Sequence, residues 1–326
     1  MHPAFSVIFL TTLIGVGQGL FLALFTGQVY SLAKLLPAQD SQTFYAAGSA
    51  LALGFLVLGL FASFFHLGRP ERAWRSAAQW RTSWLSREVI VLPMTMALIF
   101  LYGALHYFGV TNPLFVIQNS LPVDPTLIVG VLATISTFAL FLCTGMIYAS
   151  LRFLQEWHSA LTVFNYTLLG AASGFMLATA YSAIQGIHLV GFFGAWAVIL
   201  TLAGFVSRIA SLMRNKRIKR KSSIQSAIGV RHNRIEQKSQ GFMGGAFNTR
   251  EFFHGKTRTT LKAVKIGFIM LTFIAPVILV GVAYQKSSET LALWAFVVQY
   301  VGLLAERWYF FADASHPQNI YYQSIA

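Results

Sequence analysis

The side chains best suited to chemistry lie in residues 66–88, which contain five arginines, two glutamates, three tryptophans and one histidine. His66 opens this segment and Glu88 closes it, with long apolar runs on either side. A histidine can donate a hydrogen bond to a carbonyl oxygen, and a buried carboxylate can take up or release a proton near neutral pH. We therefore expect either a docking surface or the mouth of a site here, with His66, Glu88 and the adjacent Arg87 as candidates.

Each of these candidates also has a structural alternative. Glu88 would lie in the first turn of a helix, where a carboxylate favours the positive end of the helix dipole and Ser86 can act as the cap. His66 would end a helix with its ring satisfied by neighbouring groups. The residues alone leave both alternatives open.

More ionisable residues gather at the ends of the apolar runs. One face receives His66 and Glu88 together with Arg152, Glu156, His158, Glu306, Arg307, Asp313 and His316. The other face receives His106, His188 and Asp124. Ionisable groups in membrane spans are costly and are functional candidates by default. Their convergence predicts a polar chamber that opens at one face, and at least one of the neighbours Glu306 and Arg307 should face the interior.

The composition is that of an integral membrane protein. Of 326 residues, 56% are hydrophobic and 10% are charged, with a mean hydropathy of +0.62, whereas soluble domains carry about 25% charged residues. Eight apolar runs match the length that a hydrocarbon core requires. They lie near 5–30, 45–66, 89–109, 126–149, 160–183, 188–212, 264–285 and 290–311.

Backbone groups in lipid must bond within their own segment, so these runs should be helices. We predict an all-α integral membrane protein, with eight transmembrane helices in one polytopic bundle and a single membrane domain over residues 1–326. Gly15 and Gly19 in the first run, and Gly170 and Gly174 in the fifth, are typical of close helix packing. Gln18, between the first two glycines, either packs in the bundle or faces a ligand.

The positive charge is concentrated in one loop. Residues 208–265 hold fifteen Lys or Arg and two acidic residues, and the predicted loop is 213–263. The positive-inside rule then predicts that both termini are cytoplasmic, and we expect the membrane to be a bacterial inner membrane. The loop is either a solvated positive-inside loop or a surface that docks on an acidic partner or anionic lipid. Nucleic acid is disfavoured, because no nucleic-acid module accompanies the charge.

The chain offers few ligands for a metal centre. Its one cysteine, Cys143, can neither form an internal disulfide nor hold an iron–sulfur cluster, which needs about four ligands. A haem would need two histidines that face each other at similar depth. His66 and His158 share a face but do not lie mid-span, so we expect no metal, haem or cluster in this chain.

The residues around this segment resemble a known family, the membrane-anchor subunits of dimethyl sulfoxide reductases. The resemblance rests on His66-Leu67-Gly68-Arg69-Pro70-Glu71-Arg72-Ala73-Trp74 and on Ser83-Trp84-Leu85-Ser86-Arg87-Glu88. The ending is similar as well, in Ala305-Glu306-Arg307-Trp308-Tyr309-Phe310-Phe311 and His316-Pro317-Gln318-Asn319. The similarity covers essentially the whole chain.

The resemblance implies an eight-helix anchor without haem that exchanges electrons and protons with a membrane quinone, either ubiquinone or menaquinone. Its partners would be a molybdopterin catalytic subunit and a four-cluster iron–sulfur subunit, so no catalytic residue is expected in this chain. The family's quinone-site histidine and glutamate match His66 and Glu88. The long basic loop departs from the shorter sulfoxide-reductase anchors and is more similar to sulfite-oxidising relatives.

The predicted function is therefore a membrane-anchor and quinone-reactive subunit of a molybdopterin oxidoreductase. Sulfite oxidation with quinone reduction is favoured, and sulfoxide reduction with quinol oxidation comes next. The arginine-rich segment would dock the iron–sulfur subunit through Arg69, Arg72, Arg75 and Arg81. Three rivals remain: a secondary transporter of a small solute, a b-type haem cytochrome and a structural anchor without a quinone site.

Overall fold

Eight long helices run back and forth along one axis. The computed structural model describes residues 1–117, 121–185, 189–219, 222–236, 238 and 247–322. Spans 1 to 8, each long and apolar enough to cross a bilayer, are Phe5–Leu32, Ser41–Phe64, Trp84–Tyr107, Pro125–Ala149, Ala160–Ile184, Val190–Lys216, Arg258–Lys286 and Glu289–Ala312. The chain is a multi-pass membrane protein, and the predicted all-α fold is confirmed.

Most spans begin at a polar residue that satisfies a backbone N–H of the first turn. The side chains that accept these bonds are Asp40, Ser83, Asp124, Ser159, Thr257 and Ser288. Each cap supplies an acceptor for one of the N–H groups that a helix start leaves without an intrahelical partner. These residues fix where the chain changes from connecting segment to helix.

Several helix ends differ from the predicted boundaries. Span 3 begins at Trp84 with Ser83 as its cap, so the expectation that Ser86 caps the helix was wrong. Spans 6 and 7 extend into the basic region, to Lys216 and from Arg258. Hydropathy marks the part of a helix inside lipid, whereas a capped helix continues into the aqueous layer. The basic loop also contains two short helices, Ile224–Ile228 and Phe247–Glu251.

Short elements inside and between the spans were not predicted either. The strands Phe115–Ile117 and Leu121–Val123 pair antiparallel between spans 3 and 4. A π-helical turn, Met270–Ile274, lies inside span 7. Neither gives a hydropathy signal, because both are short departures from regular backbone within or beside apolar sequence.

Spans 1 and 5 cross at the centre of the bundle through glycine. A Cβ added at Gly15 would lie 3.3 Å from the Gly170 Cα, and one at Gly174 would overlap the backbone of Gly19 and Leu20. The absence of side chains lets the two backbones approach closely. Gln18, between the two glycines of span 1, donates through Nε2 to the Thr137 carbonyl of span 4 at 3.1 Å. Gln18 therefore has a packing role.

The connections alternate between two ends of the bundle. We call the end that receives residues 65–83 and 150–159, the described residues of 217–257, and residues 1–4 and 313–322 the loop face. The described parts of the basic loop pack there against the other segments: Tyr321 donates to the Ala227 carbonyl at 3.1 Å, and the Phe252 and His316 rings stack at 3.7 Å. These parts of the loop therefore contact the rest of the protein.

The opposite face carries its own buried polar group. The Tyr102 hydroxyl donates to Gln28 Oε1 at 2.8 Å, and Gln28 Nε2 donates to the Thr126 hydroxyl at 2.5 Å. Thr126 in turn donates to the Asp124 cap at 2.7 Å. His106 lies next to Ser41, with Nδ1 3.0 Å from Oγ, while His188 is outside the described residues. This group ties spans 1, 3 and 4 together.

Candidate functional site

The arginine-rich segment forms an exposed ridge on the loop face. Residues Pro70–Gln79 form a 3-10 helix with Pro70 in its first turn and no buried residue. Trp74 is 71% exposed and Trp80 is 53% exposed. The four predicted docking arginines are all exposed as well: Arg69, Arg72, Arg75 and Arg81. A ridge of exposed tryptophan and arginine is suited to a partner surface or to lipid head groups.

Arg87 closes the end of this ridge. Its Nε donates to the Trp80 carbonyl at 2.9 Å, and one terminal nitrogen donates to the Arg81 carbonyl at 2.8 Å. Its guanidinium carbon also lies 4.2 Å from the centre of the Trp84 ring. These contacts hold the turn before span 3, so Arg87 covers the helix start where Glu88 lies.

Glu88 is one turn into span 3 and points into the bundle. Its residue surface is 9% exposed, and the Thr144 hydroxyl of span 4 donates to its Oε1 in a short hydrogen bond. A carboxylate held in this way is kept out of water while still having an oxygen partner. The partner residue Thr144 was missed from the sequence, because it lies 56 residues away inside a uniformly apolar run.

His66 lies at the same face, just beyond the end of span 2. It belongs to the turn that follows Phe64, and its backbone N–H donates to the Ser63 carbonyl at 3.3 Å. Span 2 packs against span 3, so the turn that carries His66 follows the helix next to the one that carries Glu88. Partial burial lowers the pKa of His66 below its ordinary value, which leaves the imidazole neutral at pH 7 with one donor and one acceptor.

A second polar cluster lies at the loop face between spans 5, 6 and 8. Arg208 Nε is 2.7 Å from Glu306 Oε1, and Arg307 Nε is 3.7 Å from Glu306 Oε2. All three side chains are nearly inaccessible, at 3%, 1% and 4% exposed. Glu306 and Arg307 both face inward, so the prediction that at least one would do so is met.

Nothing in the sequence pairs Arg208 with this cluster. It lies in the last part of the predicted span 188–212, and the structure also places it inside span 6, but its partner is almost one hundred residues away on span 8. Arg214, two turns later, instead donates to the Gln155 and His158 carbonyls, each at 2.9 Å. Arg208 therefore forms an internal ion pair, whereas Arg214 binds the segment between spans 4 and 5.

Eight membrane spans with an exposed arginine ridge above a buried carboxylate define a multi-pass membrane protein with a polar site at one face. Residues 1–312 match the family described as DMSO reductase anchor subunit (DmsC). The chain is also 63% identical over 326 residues to a sulfite dehydrogenase subunit from Allochromatium vinosum, with 100% of both chains covered. The chain belongs to the DMSO reductase anchor subunit family, and the resemblance seen in its motifs is confirmed.

Proposed function

We propose that this chain is the quinone-reactive anchor of a sulfite-oxidising molybdopterin complex. The observation that carries this proposal is Glu88, a carboxylate buried in span 3 that accepts from Thr144 directly beneath the arginine ridge. The full-length similarity to a chain named as part of a sulfite dehydrogenase supports the choice of sulfite over sulfoxide.

The donor set near Glu88 suits a lipid-soluble carbonyl ring. A quinone needs a hydrogen-bond donor at one oxygen and a proton-exchanging group close by. The neutral imidazole of His66 supplies the first, and the carboxyl of Glu88 supplies the second. The adjoining surface of span 2 is apolar and open to lipid, with Phe61 59% exposed and Phe65 74% exposed. The residues present therefore fit a ring that arrives from the membrane.

A bound quinone supplies two-electron, two-proton redox chemistry at this site. Glu88 would pass a proton to a quinone oxygen, and Thr144 would hold the carboxyl in place through its hydroxyl. His66 would donate to a quinone oxygen and orient the ring. Arg87, fixed by the Trp80 and Arg81 carbonyls, would keep bulk water from the start of span 3.

The partners would approach from the loop face. In this proposal a four-cluster iron–sulfur subunit docks on the ridge through Arg69, Arg72, Arg75 and Arg81, and a molybdopterin subunit oxidises sulfite. The described parts of the basic loop lie at the loop face, as the ridge does. They would extend the positive surface toward the same partner or toward anionic lipid. With the basic residues inside, the complex would face the cytoplasm of a bacterial cell.

Purification of the tagged chain from its own membranes in mild detergent tests the proposal. We expect a molybdopterin subunit and a cluster-bearing subunit to co-purify, with molybdenum and iron in the sample. Sulfite should then reduce an added quinone, whereas sulfoxide should not oxidise a quinol at a comparable rate.

Two results would contradict the proposal. Quinol-dependent sulfoxide reduction without sulfite activity would keep the anchor role but assign the other reaction. A stable, metal-free chain that purifies alone would remove the anchor role, and uptake into vesicles would become the next measurement.

A further inference from the structure

The buried trio of Arg208, Glu306 and Arg307 has more hydrogen-bond donors and acceptors than its contacts use. Two guanidinium groups surround one carboxylate, so the trio carries a net positive charge inside the bundle. Beyond the ion pair of Arg208 Nε with Glu306 Oε1, the atoms Arg208 Nη2, Arg307 Nε and Glu306 Oε2 are buried without a well-aligned hydrogen bond among the described residues. More than 90% of buried polar groups are normally satisfied, so these unmatched donors and acceptors point to internal water.

Two tyrosines connect this trio to Glu88. The Arg307 guanidinium carbon lies 3.7 Å from the centre of the Tyr166 ring, and the Tyr166 and Tyr148 rings stack at 5.4 Å. The Tyr166 hydroxyl is buried without a well-aligned hydrogen bond among the described residues. Tyr148 lies one helical turn after Thr144, the residue of span 4 whose hydroxyl donates to Glu88. Polar groups thus continue from span 8 across spans 5 and 4 to span 3.

We call the polar groups from Glu88 through the two tyrosines to the trio the series. Its far end, at the trio, reaches the surface of the loop face. The Tyr309 hydroxyl of span 8 donates to Asp313 Oδ1 at 2.9 Å, and Asp313 is partly exposed just beyond the end of the span. Tyr309 and Arg208 also flank the same ring, since the centre of the Phe268 ring lies 5.4 Å from that of Tyr309 and 5.6 Å from the Arg208 guanidinium carbon. Asp313 therefore gives the buried trio a contact with the aqueous phase.

The direct way from the loop face to Glu88 is covered. Ser86, one turn from the helix start, is 3% exposed, and Arg87 is stacked on Trp84 and bound to the turn before it. A partner docked on the arginine ridge would cover this entrance further. A proton that reaches Glu88 in the assembled complex then needs a route from another side of the bundle.

We propose that Glu306, Tyr166 and Tyr148, with internal water, carry protons between the surface at Asp313 and Glu88. This inference rests on the proposed role of Glu88 in quinone chemistry. Arginine does not release its proton in proteins, so Arg208 and Arg307 act as positioning residues that hold Glu306 and orient the Tyr166 hydroxyl. Glu306, the tyrosine hydroxyls and water provide the exchanging groups.

The proton balance of the step is simple. Two electrons come from the iron–sulfur partner, and the quinone accepts them with two protons to form two O–H bonds. Both protons leave the Glu88 carboxyl, one after the other, and after each transfer Glu88 regains a proton from the series that ends at Asp313. In quinol oxidation the same transfer runs in reverse.

Tyr148→Phe and Tyr166→Phe in the purified complex test the route, because each removes one hydroxyl and keeps the ring. We expect each to lower quinone-linked kcat about tenfold or more, with the quinone KM unchanged and a changed solvent deuterium isotope effect. Reduction of an artificial acceptor by the catalytic subunit should stay at the wild-type rate. Tyr300→Phe is the matched control, since the Tyr300 hydroxyl lies 3.3 Å from Thr12, away from this series.

Glu306→Gln tests the central group but leaves two buried arginines without a carboxylate. The double variant Glu306→Gln with Arg208→Gln keeps the net charge and should assemble where the single variant does not. We expect the double variant to lose quinone-linked turnover and to keep acceptor activity. Wild-type kcat and isotope effect in both tyrosine variants and in the double variant would overturn the route.

A measurement of hydration separates this inference from the quinone proposal. Radiolytic labelling of the wild-type complex should modify Tyr148 and Tyr166 through bound water, and Tyr102, satisfied by Gln28 at 2.8 Å, should be protected. Protection of all three tyrosines would show that no water lies along the series. It would reject the route, whatever the quinone assays give. Absence of quinone turnover in the wild type, with Tyr148 and Tyr166 labelled, would reject the proposed function instead.

Discussion

At the scale of single residues, the site depends on how a carboxylate is kept inside a membrane span. Glu88 is enclosed by the bundle and has the Thr144 hydroxyl as its partner. Removal of such a group from water is costly unless a polar partner is present. The site therefore retains one stabilised carboxylate where an apolar side chain would pack at lower cost, which is the pattern expected of a group kept for chemistry.

Glu88→Gln should lower quinone-linked turnover by about 100-fold or more, because an amide of the same shape cannot exchange the proton. Assembly of the complex should be unchanged, since the amide still accepts from Thr144. The assay is sulfite-to-quinone activity of the purified complex. Glu71→Gln is the control, as the Glu71 side chain is 66% exposed on the ridge. Equal quinone kinetics in the two variants would remove Glu88 from the mechanism.

His66 should make stability depend on pH in one direction. Its pKa is lower in the folded protein than the unfolded value of about 6.5. Between those two values the unfolded chain binds more protons, so stability should rise with pH through this window and fall as pH drops below about 6.5. The effect should be below about 1 kcal/mol, because the residue is only partly buried and water screens its charge.

Thermal unfolding of the wild type and of His66→Gln at pH 5.5 and 7.5 measures this dependence. The wild type should lose more stability on acidification than the variant. A variant that loses as much as the wild type would show that other groups cause the pH dependence.

The sequence predicts which residues of the site are ionisable, but it does not predict their partners. Glu88 was recognisable from its position next to an apolar run, whereas Thr144 looks like any hydroxyl in a helix. Arg208 and Glu306 are almost one hundred residues apart, and their pairing follows from the packing of span 6 near span 8. Pairing of this kind is a tertiary property that no local pattern encodes.

At the scale of the helices, the crossing of spans 1 and 5 holds the rest of the bundle. Gly174→Ala should destabilise the protein by about 3 kcal/mol or more, because the new methyl group would overlap the Gly19 and Leu20 backbone. Gly54→Ala is the matched control, since a Cβ at Gly54 meets no atom within 4 Å. Thermal unfolding in detergent should show a large loss for the first variant and little change for the second.

Partner binding by the arginine ridge should be independent of membrane insertion. Replacement of Arg69, Arg72, Arg75 and Arg81 by Gln should abolish co-purification of the partner subunits, while the chain still inserts and folds, because all four side chains are exposed. The same change at four basic-loop positions, Arg217, Lys219, Arg231 and Lys256, removes equal charge elsewhere at this face. Loss of partners only in the second variant would assign docking to the basic loop.

Hydropathy predicted all eight spans but not their aqueous ends. The predicted start at 89 omits Trp84–Glu88, the turn that carries the candidate site, and the true start depends on the Ser83 cap. The extension of span 6 to Lys216 is likewise set outside the lipid, by the tie of Arg214 to the preceding loop. Functional groups at a membrane face lie in the aqueous layer next to the lipid, where apolar periodicity no longer predicts where a helix ends.

At the scale of the whole molecule, the distribution of charge predicts which way the bundle faces. The loop face carries the arginine ridge and the basic loop, whereas Lys34 and Lys286 mark the other face. The positive-inside rule therefore predicts that the loop face lies in the cytoplasm. This orientation would also bring the buried trio, Asp313 and the proposed docking ridge to the same compartment as the partner subunits.

Cysteine labelling in intact cells tests this orientation. Thr111→Cys lies between spans 3 and 4 at the opposite face, and Ser223→Cys lies in the basic loop. A membrane-impermeant maleimide should label the first from outside and should reach the second only after the cells are opened. The native Cys143 is 5% exposed and should stay unlabelled in both. External labelling at position 223 would invert the orientation and place the docking ridge, with any partner it binds, outside the cytoplasm.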